Sequence, residues 1–237
     1  MILKQDSIIF KSKTINNFVY EIESPTKKID LAVFNQETYK PSNGISKISA
    51  RLLKVKEELG LNIKFKKIQS EQLWKNLKMI DGDLPEIIGY SLLYRWLDRE
   101  SSLLKIASLL EERDPLNFYF GEKSDQKFYE YKIKKFLAEC AMGMTSEKPW
   151  DEMYDATGGV IIPKKDGEIV CFHIYDFNLF RQYLLNNTIF EQPSTGEDGD
   201  SPGNERISKG TKKYYYGWLY EDEEKLNFKI NLQVRFK

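Results

Sequence analysis

Short apolar runs open the chain, and a dense helical pattern follows them. Ser7–Phe10 and Phe18–Ile22 are brief and rich in β-branched or aromatic residues, which predicts two strands, and Leu31–Phe34 predicts a third. After an Asn43-Gly44 turn, Ile45, Ile48, Leu52, Val55 and Leu59 recur at helical spacing until Gly60 supplies a stop. A second helix is predicted over Glu71–Met79. A third starts at Leu84-Pro85, where a first-turn proline loses no needed N–H, and runs to about Leu97. It is apolar nearly all round, so it is expected at the centre of the fold. Ser101 or Ser102 caps a fourth helix ending near Arg113, just before Asp114-Pro115. Ser124 or Asp125 opens a fifth, which ends at Gly143.

Beyond Gly143 the pattern turns to strands. Val160–Ile162 and Ile169–Tyr175 flank Asp166-Gly167, and Asp-Gly suits a tight hairpin turn with positive φ at both central positions. Asp176 can cap a short helix through Asn187. Gln192–Gly210 is polar, carries Glu197, Asp198, Asp200 and Pro202, and reads as a long loop. Tyr214–Tyr220 and Leu226–Phe236 are predicted to close the fold as an antiparallel pair. With no repeat and no linker, residues 1–237 read as one α+β domain. It has short strands over 1–35, a helical segment over 45–143 and a β-rich part over 155–237.

Composition supports a packed core: 41% of the 237 residues are hydrophobic and 14% aromatic. Lys+Arg and Asp+Glu are both 36, so bulk charge gives no case for nucleic-acid binding, and only a local basic stripe could. Cys140 and Cys171 sit in apolar stretches and are expected to be buried, reduced thiols. The sole histidine, His173, excludes His-rich metal or relay schemes. No apolar run approaches the ~20 residues of a membrane span, so a cytoplasmic location is expected.

Phosphate-binding glycine loops, His-Glu-x-x-His and nucleophile elbows are absent from the sequence. Carboxylates remain as metal ligands, and Mg²⁺ suits them; magnesium nucleases pair a few acids with a nearby lysine. Asp81, Asp83 and Glu86 cluster where the third helix starts, although acids also favour that position for its dipole alone. Asp151, Glu152 and Asp155 precede the hairpin, which carries Lys164, Lys165 and Glu168. This has the loose shape of a nuclease site and also of an ordinary surface. Lys127, Lys132, Lys134 and Lys135 lie among aromatics on the fifth helix, and Lys212-Lys213 run into three tyrosines. Lys47, Arg51, Lys54 and Lys56 read as a solvated helix face.

Longer stretches are more specific. Tyr131-Lys-Ile-Lys-Lys-Phe-Leu-Ala, Gly143-Met144 and Lys148-Pro-Trp-Asp151 resemble the HpaII-type restriction endonucleases. So do Asp155-Ala-Thr-Gly-Gly159-Val-Ile-Ile162, Asp166–Tyr175, Tyr183–Thr188 and Lys229–Phe236. Together they match the family's C-terminal part from Tyr131 to Lys237, with weaker likenesses at Asn17–Ile22, Asn76–Asp81 and Leu84–Ile87. The resemblance implies Mg²⁺-dependent type II cleavage of duplex DNA at a short site, a paired methyltransferase protecting the host, and a homodimer as a family-level expectation. It makes Lys132, Lys135, Lys148, Arg206, Lys213 and Arg235 the candidate DNA contacts. Asp155 and Glu168 become candidate metal ligands, with Lys11 and His173 as further catalytic candidates; His173 can equally be a core histidine. Two departures are visible. Only sixteen residues precede the block matching at Asn17, so the catalytic strand is expected to be truncated or reduced to Ile9-Phe10-Lys11-Ser12. In addition, where the family carries a Ser-Thr-Ser-Arg-His run, this chain has Ser194-Thr195 followed by an acidic insertion, with Arg206 as the candidate for the arginine's place and no histidine after it. The alternative is therefore a catalytically inactive DNA-binding remnant, and an enzyme unrelated to DNA would need a pocket that sequence does not disclose.

Overall fold

In the computed structural model, strand β7 (Lys225–Phe236) lies inside an antiparallel sheet and organises everything around it. Residues 13–39, 46–121, 125–141, 159–173, 177–191 and 218–237 are described. The sheet runs β2 (Ile63–Ile68), β1 (Lys13–Ile22), β7, β5 (Thr188–Glu191), with β6 (Tyr220–Asp222) hairpinned onto β7. All these pairings are antiparallel. The twelve residues of β7 alternate, and Phe228, Ile230, Leu232 and Val234 bury one face against the helices.

Seven helices are present among the described residues: α1 (Leu31–Tyr39), α2 (Lys47–Leu59), α3 (Glu71–Ile80), α4 (Leu84–Leu97), α5 (Leu103–Arg113), α6 (Phe128–Ala141) and α7 (Phe177–Asn187). The mixed α+β class read from the sequence is therefore the class observed. Helix α4 is central as expected, burying Leu84, Ile87, Ile88, Leu92, Leu93 and Trp96. Its position is set by a close approach: the Tyr20 hydroxyl on β1 donates to the Gly89 carbonyl at 2.7 Å. The Phe65 ring of β2 fills the space where a Cβ on Gly89 would stand. Ser102 caps α5 as predicted, and Ser46 and Ser70 likewise accept from backbone N–H groups at the starts of α2 and α3.

A second, two-stranded sheet pairs β3 (Gly159–Pro163) with β4 (Ile169–His173) as the predicted hairpin, but only Gly167 of the Asp-Gly pair holds positive φ, because the turn spans Lys164 to Glu168 rather than two residues. Its inner face lays Phe172 against Phe180 and Tyr183 of α7.

Several expectations are corrected. Leu31–Phe34 is the first turn of α1, not a strand, because the Asp30 carboxylate accepts from the Ala32 and Val33 amides and nucleates a helix. Asn35 then ties α1 to Leu219 by two hydrogen bonds. Strand β2 lies inside the span read as helical; its lysines mask the alternation of Ile63 and Phe65. Strand β5 was likewise not predicted, being four residues directly after a helix. Helix α6 begins at Phe128 rather than at Ser124 or Asp125. Arg51 does not lie on a solvated face. It is 1% exposed, with its guanidinium 5.2 Å from the centre of the Trp218 ring. Cys140 is buried as expected, but Cys171 is exposed on the outer face of β4; neither forms a disulfide. The predicted strand Ser7–Phe10, the cap at Asp176, the loop Gln192–Gly210 and most of Tyr214–Tyr220 lie outside the described residues. No described helix is long and apolar enough to cross a membrane.

Candidate nucleic-acid interface

Helix α6 carries the densest group of predicted contacts. Tyr129, Ile133, Phe136, Leu137 and Cys140 recur at helical spacing and bury one side, which leaves the lysines on the other. Lys132 reaches the connection between α3 and α4, where its ammonium lies 2.8 Å from Asp81 and 2.5 Å from Asp83. The same ammonium sits 4.8 Å over the Phe118 ring. Burial alone would lower the Lys132 pKa, but the hydrogen bonds and charges of Asp81 and Asp83 outweigh it and the net shift is upward. Lys135 lies 3.8 Å from Asp81 and 4.6 Å over Tyr131. The two predicted DNA cations are thus brought together, yet each answers a carboxylate of the α3–α4 connection. Lys132 in particular acts as a bolt between helices. Asp81 and Asp83, singled out as a possible metal cluster, serve as its partners. Nearby, burial raises the Glu86 carboxyl pKa.

The β3–β4 hairpin presents Glu168 at its turn. Lys164 donates to the Glu168 carboxylate at 2.5 Å, and Lys164 N–H donates to the Glu168 carbonyl at 2.7 Å. That carboxylate is engaged in closing an exposed turn. His173 pairs through its backbone with Gly159 in the same ladder. Among the described residues no three His, Cys, Asp or Glu side chains stand close enough to share a metal ion. Glu168 by itself does not make a Mg²⁺ site.

Arg235 occupies the open end of β7. Its partner is Glu191 on β5, at 3.1 Å, and about half of the arginine side chain remains exposed. Arg95 of α4 approaches the same strand, donating to the Phe190 carbonyl at 2.8 Å. The alternate positions of β7 that face away from the apolar core are Asn227, Lys229, Asn231, Gln233 and Arg235. They grade from buried at Asn227 and Lys229 to exposed at Arg235. Only the outer end of this row, Gln233 and Arg235, carries an amide and a guanidinium with the exposure that reading a base edge requires. Sequence reasoning singled out only Arg235; the strict alternation of Leu226–Phe236 was the available sign of the others. The remaining candidates, Lys11, Lys148, Asp155, Arg206 and Lys213, lie outside the described residues.

A family model described as HpaII restriction endonuclease matches residues 3–236. The type II restriction enzyme HpaII of Haemophilus parainfluenzae is 31% identical over 194 residues, which is 82% of this chain and 49% of that enzyme. The chain therefore spans about half the length of the curated relative it matches. No solved structure matches the chain significantly.

Proposed function

Since the chain belongs to the HpaII restriction endonuclease family, we propose that it acts on duplex DNA as a type II restriction endonuclease, hydrolysing phosphodiester bonds at a short specific site with Mg²⁺. The observation that carries this reading is the extent of the family match, residues 3–236. Placement in the cytoplasm, a paired methyltransferase and symmetric cutting by a homodimer belong to the same proposal.

Of the described candidate contacts, Arg235 and Lys135 keep more solvent access than Lys132 and are proposed to meet phosphate. Gln233, next in the row, is in place to accept from or donate to a base edge. A neutral chain needs such local cations, since its bulk charge does not draw DNA. The metal ligands proposed from the resemblance are Asp155 and Glu168; Glu168 is paired with Lys164 and would hold an ion only if that pair opened.

The test is direct. Unmethylated plasmid is incubated with the protein and Mg²⁺, and again with EDTA. Discrete fragments that appear only with Mg²⁺ are expected. Duplex that is shifted in a gel but never cut would replace this reading with that of a DNA-binding module without nuclease activity.

A further inference from the structure

The β3–β4 hairpin is apolar on both of its faces. Side chains alternate along a strand, so Val160, Ile162, Val170 and Phe172 turn to one side, and Ile161, Pro163, Ile169 and Cys171 to the other. The first set meets the core: Ile162 is buried, and Phe172 packs on Phe180 and Tyr183 of α7 with ring centroids 5.7 and 5.1 Å apart. The second set meets solvent. Ile161 is 55% and Ile169 63% exposed, and Pro163 and Cys171 are exposed with them. The ladder sets Ile161 opposite Cys171 and Pro163 opposite Ile169, so the four form one continuous patch rather than scattered apolar residues.

The larger sheet is built differently. On β7 the positions turned away from the apolar core are Asn227, Lys229, Asn231, Gln233 and Arg235, all polar. An antiparallel sheet with one face in water alternates in this way, whereas near-continuous apolar runs belong to sheets covered on both faces. A two-stranded sheet is also marginal by itself and depends on what packs against it. Among the described residues the hairpin has one covering layer, α7, and its sequence suits a second.

The chemistry of the patch selects what covers it. Ile161, Pro163, Ile169 and Cys171 carry no charge and no amide, so they offer nothing to a phosphate or a base edge. The patch is complementary to itself, as an isologous contact requires, because apolar meets apolar when two copies stack face to face at the ~10 Å spacing of packed sheets. The turn beside it carries Lys164, Lys165, Asp166 and Glu168, two charges of each sign, so a second copy is not repelled. We infer that the outer face of the β3–β4 hairpin is a contact between two copies of this chain, centred on Ile161 and Ile169. Two strands of 5 residues each bury far less than the ~800 Å² per partner of a standard interface, so the dimer is expected to be weak and to form from about 10 µM upward. The inference rests on the homodimer in the function proposed above and gives it a surface.

Sedimentation velocity of the intact, reduced protein without DNA, from about 1 to 100 µM, is expected to show a monomer giving way to a dimer. A short bismaleimide is expected to join two copies through Cys171 at the higher concentrations. Ile161→Lys and Ile169→Lys are each expected to keep the wild-type melting temperature, to sediment as monomers throughout and to lose the cross-link, while Cys171 still takes a monofunctional maleimide. A wild type that stays monomeric at every concentration overturns the inference. So does a dimer that both variants keep, which places the contact elsewhere. A lowered melting temperature in both variants also overturns it, because the outer face would then serve the fold of one copy. The plasmid assay separates this inference from the nuclease reading. Mg²⁺-dependent fragments from a protein that stays monomeric overturn the inference alone, and a dimer through this face that never cuts overturns the nuclease reading alone.

Discussion

Lys132 shows how context reassigns a residue. In sequence it is a lysine among aromatics on a helix, and such residues commonly meet phosphate. In the fold it lies between Asp81 and Asp83 with only a small part of its side chain exposed, so its charge is already answered. Replacing it with methionine is expected to destabilise the protein by about 2 kcal/mol, the scale of hydrogen bonds to charged groups. The pH dependence follows from the upward shift of its pKa. An unfolded lysine titrates near ~10.4, so the contribution is fully present below that pH and is lost as pH rises through the higher folded value. Urea denaturation of wild type and Lys132→Met at pH 7, 9 and 11 checks this. The difference is expected to hold at the first two and to shrink at the last; a difference that grows with alkalinity would sink the assignment.

At the scale of elements, α4 and β2 illustrate a fit that local pattern does not reveal. A glycine in the middle of a helix is disfavoured, and replacing it with alanine ordinarily gains up to ~1 kcal/mol. At Gly89 the added Cβ would lie 2.5 Å from the Phe65 ring. That ring is hemmed by Trp74, Tyr20 and Tyr90 and cannot simply swing away. Gly89→Ala is therefore expected to lower stability by about 1–3 kcal/mol, with overpacking outweighing propensity. Pairing it with Phe65→Leu should restore part of the loss, which a thermal melt of the single and double variants reads directly. A stabilised single variant would show that α4 can move off the sheet at little cost.

For the molecule as a whole, the described residues form one continuous apolar cluster between the helices and the five-stranded sheet, with the β3–β4 hairpin set against its side through α7. The two cysteines report these two places. Cys140 is inside the cluster and Cys171 faces outward on the hairpin. A thiol reagent is accordingly expected to label one cysteine rapidly in the native protein and both after denaturation. Rapid labelling of two native thiols would mean that α6 is less firmly packed than its burial indicates.

How much of this was legible beforehand depended on the range of the interactions involved. Helices α2 to α5, the Asp-Gly hairpin and the strands ending at Ile22 and Phe236 were readable because capping serines, turn residues and apolar periodicity act within a few residues. The family resemblance was readable for a related reason, since whole runs of residues such as Lys229–Phe236 stand in order along the chain. Other features were decided only when distant segments met. The helix that begins at Leu31 is held in place by Asn35, which binds Leu219 across the fold. Strand β2 exists because β1 offers it a ladder that its lysines disguise. The roles of Lys132 and Arg51 likewise depend on Asp81 and Trp218. Sequence alone therefore determined the local elements and the lineage, which short-range chemistry encodes. Tertiary structure decided which charges are spent on ion pairs and which side chains stay exposed, because burial and long-range pairing have no signature in the order of residues.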